Sequence, residues 1–147
     1  MRVPAYQRFV QDNGVRVILL PRHDVPLVAF DAVIRGGARL DPPGRAGTAS
    51  LAAELLAHGA GGRNAYEFAD SVEGAGGSLD ADARFEAVRV HGQFLARDQS
   101  LMLELLADAI MRPWLAAAEF DKLRQRRIEL LRAAKDASRW LTELPRP

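Results

Sequence analysis

Three histidines, His23, His58 and His91, and nineteen Asp and Glu carry the metal-ligating and acid–base chemistry of this chain, because it contains no cysteine. Disulfides, thiolate metal sites and cysteine nucleophiles are therefore closed to it. Glu54 and His58 stand four residues apart in an expected helix, a spacing that shares one face and that metals do use. Each imidazole also has a structural account. His58 precedes Gly59 at a helix end, where a cationic side chain suits the exposed carbonyls. His91 falls in a strand pattern and His23 in a turn. These accounts outweigh a metal site built from Glu54, His58 and the other two imidazoles.

The elements that must position these residues are marked by turn chemistry and periodicity. Asn13-Gly14 tolerates the positive φ angles of a tight hairpin turn, which joins runs at Gln7–Gln11 and Val15–Leu20. After the break Pro21–Pro26, Leu27–Ile34 is a third apolar, β-branched run, ended by Gly36-Gly37 and the Gly/Pro-rich loop Ala38–Ala46. From Gly47 the pattern turns helical. Thr48 or Ser50 is its cap, Ala49, Ala52, Ala53, Leu55 and Leu56 are its apolar surface, and Gly59–Gly62 is its stop. Asn64 caps a second helix, Ala65 to Glu73.

Ser78–Ala83 and Phe85–Leu95 read as strands, the second with Val88, Val90 and Phe94 on one face. Asp98 caps a third helix that runs to Met111, before Pro113. A fourth spans Ala116 to Ser138, with Phe120, Leu123, Ile128, Leu130, Leu131 and Ala134 on an apolar arc that includes Arg127. The tail Pro145-Arg146-Pro147 is expected to fray. This order predicts an α+β domain, a largely antiparallel sheet with helices packed on one face.

At 147 residues, 48% hydrophobic and 27% charged, the chain suits one folded domain with a real core. Its net charge of +1 argues against a dedicated nucleic-acid or membrane surface. From Arg112 to Pro147 nine Lys/Arg face five Asp/Glu, but no known nucleic-acid motif accompanies them, so this reads as a solvated helix face. No apolar run approaches membrane-spanning length, and no apolar signal core follows Met1. The sequence as written is expected in the cytoplasm; a missing upstream signal segment would make it periplasmic.

Several segments, in order, resemble the N-terminal domain of the M16 peptidases, the family of insulin-degrading enzyme, pitrilysin and the mitochondrial processing peptidase. Asn13-Gly14-Val15-Arg16-Val17 resembles the family's opening hairpin. The stretch Gly36-Gly37-Ala38-Arg39-Leu40 through Gly47-Thr48-Ala49 resembles the strand end, loop and start of the active-site helix. Glu73-Gly74-Ala75-Gly76-Gly77-Ser78-Leu79 is similar to the Gly-Gly segment before a strand. Arg112-Pro113 and Glu119-Phe120-Asp121-Lys122 repeat a helix–proline–helix cadence. Family chains continue into the rest of this domain and a second similar one, so residues 1–147 are expected to form a single domain cut short at its C-terminal end.

The resemblance implies a zinc site on an inverted His-x-x-Glu-His motif, with the Glu as general base and a further Glu ligand from the long helix. Carried onto this sequence, the first His position is Ser50, the base is Ala53, the second His is Glu54 and the distant ligand is Leu130, beside Glu129. Losing the positioned base alone removes a factor of ~10²–10⁴. The resemblance therefore implies no zinc, no catalytic residue and no peptidase activity in the isolated chain. It implies a non-catalytic subunit that helps a zinc-bearing M16 partner form a chamber for unfolded peptide. The alternatives are an interaction or scaffold module without proteolytic role and, last, an active zinc metalloendopeptidase. Peptide would add to a strand edge at Leu79-Asp80-Ala81-Asp82-Ala83, unless the two aspartates blunt that edge instead. Arg127 is expected to pair with Glu54 where the metal would stand; the competing account has it snorkel to solvent.

Overall fold

The computed structural model describes residues 5–143, with side chains through residue 136. Two strands, β1 (Gln7–Val10) and β2 (Arg16–Leu19), form the expected hairpin. Its turn rests on Gly14 at φ 84 and on the Asn13 side chain, whose Oδ1 accepts from the Val15 N–H at 3.1 Å. Three longer strands, β3 (Leu27–Arg35), β4 (Ser78–Ala83) and β5 (Ala87–Leu95), form a second antiparallel sheet in the order β3-β5-β4. The pattern alone reads as one sheet. Here β1 and β2 pair only with each other, and all four residues of β1 are exposed. Among the described residues no strand bridges β2 to β3.

The register of β5 explains the two faces of the larger sheet. Val90 lies opposite Ala32 and Ala81, Gly92 opposite Phe30 and Leu79, and Phe94 opposite Val28, so one face is apolar. Gly92 is required there, because a Cβ would sit 1.9 Å from the Ser78 carbonyl oxygen. The other face is polar. Arg89 Nε donates to Asp31 Oδ1 at 3.2 Å, and His91 Nε2 lies 3.2 Å from Asp82 Oδ1. An antiparallel sheet with one packed and one wetted face alternates in this way.

Four helices stand between the expected breaks, although Asp98, expected to cap the third, makes no side-chain cap hydrogen bond. They are α1 (Thr48–Leu55), α2 (Ala65–Gly74), α3 (Gln99–Met111) and α4 (Ala117–Glu143). The first helix ends sooner than its alanine-rich pattern predicts, and the last runs longer. At α2 the capping box is complete, with Glu67 N–H donating to Asn64 and the Asn64 N–H to Glu67. Phe68 and Val72 of α2 and Met102, Leu105 and Ala109 of α3 cover the apolar face, against Leu79, Val90 and Phe94.

By contrast, α1 packs on β4, and α4 lies on α1. The arc expected on α4 is corrected here. Leu123 is buried, but Leu130 and Leu131 are 58% and 64% exposed, because the helix runs on past α1. Its final residues to Glu143, and the tail after it, carry no described side chains. No described helix is long and apolar enough to cross a membrane.

Candidate functional site

The loop before α1 sets the helix in place by a route that its own first residues do not reveal. Gly47 is the N-cap, at φ 97, and neither Thr48 nor Ser50 caps the backbone. The cap comes from Asp41, whose carboxylate accepts the Gly47 N–H at 2.7 Å and the Ala49 N–H at 2.8 Å. A carboxylate at a helix N-terminus satisfies orphan donors and complements the helix dipole. The sequence does not disclose this role, because Asp41 lies six residues before Gly47 and outside any local capping pattern.

On the helix so held, Ser50 is half-buried, Ala53 is 1% exposed, and Glu54 points at α4. There Arg127 donates through Nη2 to Glu54 Oε2 at 2.9 Å. The pair is half-solvated, with 43% of the Arg127 side chain and 30% of the Glu54 side chain exposed. One turn further along α4, Leu130 adds only hydrocarbon and is exposed. A zinc ion needs three protein donors with N, S or carboxylate oxygen chemistry. Ser50, Ala53, Glu54 and Leu130 offer one carboxylate, already engaged by a guanidinium, so these four residues do not fit the metal. Among the described residues, no group of three or more His, Cys, Asp and Glu gathers where an ion could be held.

The histidines are dispersed. His58 lies beyond the end of α1, so it does not share a helical face with Glu54; its Nδ1 faces Glu119 Oε2 at 3.6 Å. Lys122 donates to the same carboxylate at 2.8 Å. This ammonium, with help from His58, holds Glu119 below the usual carboxylate range. His91 belongs to the polar sheet face and His23 to the loop before β3.

The expected edge at Leu79–Ala83 is the outer strand of the larger sheet, paired on one side only, with β5. Leu79 is in the core, while Asp82 meets His91 and Arg84. Beside the start of this edge lies a cleft of about 860 Å³, walled by α2, the loop after α1, Trp114 and the first turn of α4. Tyr66 and Glu73 of α2, Trp114 of the loop after α3 and Glu119 of α4 meet there from distant parts of the chain, so no sequence motif links them.

Asp108 on α3 is a buried carboxylate, 1% exposed. Arg63 donates to it at 3.1 Å from the α1–α2 loop, and Arg112 Nε at 3.1 Å from the next turn. Its position inside an apolar helix pattern was the available signal, since a buried carboxylate needs such partners.

Residues 16–143 match the family model for insulinase, peptidase family M16. The fold is shared with a peptidase M16 inactive domain from Pseudomonas fluorescens, at a TM-score of 0.76 and 18% identity, over 83% of this chain and 30% of that one. It is also shared with a protease from Helicobacter pylori, at 0.79 and 25% identity, over 91% of this chain and 32% of that one. The chain thus spans less than a third of either solved chain. No curated protein sequence matches it. A match that runs from the second strand into the last helix, on a fold these peptidase domains share, means that this chain belongs to the M16, or insulinase, family of peptidases.

Proposed function

We propose that this chain is a non-catalytic M16 subunit, which helps to form a peptide-binding chamber with a zinc-bearing partner of the same family. One observation carries the reading. At the place where the family resemblance puts the metal, α1 and α4 are joined by Glu54 and Arg127, with Ala53 packed where a general base would stand. Such a site lacks both the metal that makes the nucleophile and the base that takes its proton. What remains useful for proteolysis is shape: the open edge of β4 and the cleft beside it. The solved domain from Pseudomonas fluorescens, described as inactive, supports the same reading by analogy of fold.

The test is reconstitution. The chain is purified alone and also co-expressed with a family member that carries His-x-x-Glu-His, and zinc content and cleavage of an unfolded peptide are measured. The expected result is sub-stoichiometric zinc and no cleavage alone, co-purification with the partner, and faster cleavage by the pair than by the partner alone. Stoichiometric zinc in the isolated chain, with cleavage abolished by a chelator, would sink the proposal. Failure to co-purify would favour the interaction-module reading instead.

A further inference from the structure

We propose that the free edge of β3 is a self-association surface, where a second copy of this chain adds its own β3 antiparallel with Val33 at the two-fold axis. Among the described residues β3 pairs with β5 alone, so its other side is an edge. The edge is nine residues long, and its ladder with β5 runs from Leu27 to Arg35 without a bulge. It carries no lysine and no proline, the residues that commonly blunt an exposed edge against pairing.

The ladder shows which backbone groups face outward. Just beyond the two ends of β3, the Ala96 N–H donates to the Pro26 carbonyl and the Gly36 N–H to the Glu86 carbonyl, each at 2.9 Å. Antiparallel pairs alternate between bonded and unbonded, so the even-numbered residues of β3 bond to β5. Leu27, Ala29, Asp31, Val33 and Arg35 therefore turn their N–H and C=O groups to the open side. After Arg35 the chain leaves this edge, since the Ala38 N–H donates to the Arg84 carbonyl and the Arg39 N–H to the Phe85 carbonyl, in the turn between β4 and β5.

Side chains select the occupant and its register. Val28, Phe30 and Ala32 already pack against the core, whereas Val33 is 63% and Ile34 37% exposed, so the bare end of the strand is its C-terminal half. Arg35 is exposed and, among the described residues, takes part in no ion pair. Asp31 is bonded to Arg89 but keeps 46% of its side chain exposed, and a carboxylate has room for a second guanidinium. With Val33 at the axis, each Asp31 stands opposite Arg35 of the second copy, Val33 meets Val33, and Ile34 meets Ala32. Opposite charges and apolar pairs directly across a ladder both stabilise it. An axis at Asp31 would instead set two carboxylates face to face, which destabilises. The strand thus complements itself in charge, and the resulting sheet reads β4-β5-β3-β3-β5-β4. Both β4 edges stay open, so this association is separate from any use of β4.

The experiment is sedimentation velocity on the full chain from roughly 1 to 100 μM, which brackets micromolar dissociation constants. A monomer–dimer equilibrium is expected. Arg35→Glu, at an exposed position and folded by circular dichroism, should weaken it about ten-fold by setting like charges opposite at two symmetric places. Because the chain has no cysteine, one introduced thiol reports the register. Val33→Cys should oxidise to a covalent dimer, its Cα atoms about 5.5 Å apart across the axis. Ala29→Cys should not, since those positions would lie about 27 Å apart. A chain that stays monomeric at the highest concentration overturns the proposal. So does a dimer that Arg35→Glu leaves intact, or that cross-links at Ala29 as readily as at Val33. Hydrogen exchange that protects β3 only when a zinc-bearing family member is added would assign the edge to that protein and likewise overturn self-pairing.

Discussion

Glu54 and Arg127 are 73 residues apart in sequence and meet between α1 and α4 at 2.9 Å. Because both side chains keep contact with water, their attraction is screened, and such pairs contribute ~0–1 kcal/mol. The Arg127→Met variant is therefore expected to shift thermal unfolding by no more than a few degrees, since the methionine stem keeps the packing on α1. A loss well beyond that range would mean that the pair is an obligatory strut. Asp31 offers a second test at this scale. The Arg89 guanidinium hydrogen-bonded to it holds its carboxyl below the ordinary value of 3.8. A depressed folded value means that this stabilisation is complete above 3.8 and drains away as the pH falls toward the lowered value. The Asp31→Asn variant should thus be slightly less stable than the parent at neutral pH, by under about 1 kcal/mol. The two should converge in acid unfolding below pH 3.8, and a gap that widens there would contradict the assignment.

At the scale of elements, the joint between the α1–α2 loop and α3 is made by Gly61 and Asp108. Gly61 sits at φ +62, and a Cβ there would lie 1.7 Å from Asp108 Oδ2. Substitution forces either the loop or the buried carboxylate to move, breaking the Arg63 contact at 3.1 Å. Gly61→Ala is expected to cost ~2–4 kcal/mol, by strain and by partial loss of partners around a buried charge. Gly62→Ala, with open space around it although its φ is +85, should cost less. Equal effects in chemical denaturation would show that φ, and not the close approach to Asp108, sets the penalty.

These elements differ in how far the sequence disclosed them. The Asn13-Gly14 turn, the Asn64 cap and the β4 range were legible, because each is a local preference written in adjacent residues. The cap from Asp41, the burial of Asp108 and the assembly of the cleft were not, since each depends on which elements meet in space. The exposure of Leu130 and Leu131 is hidden from the sequence for a related reason. Periodicity shows that a helix has an apolar face but not what lies against it.

For the whole molecule, the decisive feature is an uneven core. Buried side chains concentrate where β4 and β5 meet α2 and α3, whereas Phe9, Val10, Ile18, Leu19 and Val33 in the first three strands, and Tyr6 and Val25 beside them, stay exposed. The hairpin pairs with itself and holds no buried residue, so its opening need not break the rest. A two-stranded ribbon in water is marginal by itself. Native-state hydrogen exchange should therefore separate two classes of amide: those of β5 and α3, which exchange only on global unfolding, and those of β1 and β2, at least ~100-fold faster. The same exposed surface predicts a concentration effect, because covering it would stabilise the hairpin by mass action. Hairpin protection should thus rise with protein concentration, or on addition of a zinc-bearing family partner, while β5 and α3 change little. Hairpin amides as slow as those of β5 in dilute monomer would show that the two sheets unfold together, and the uneven-core account would not stand.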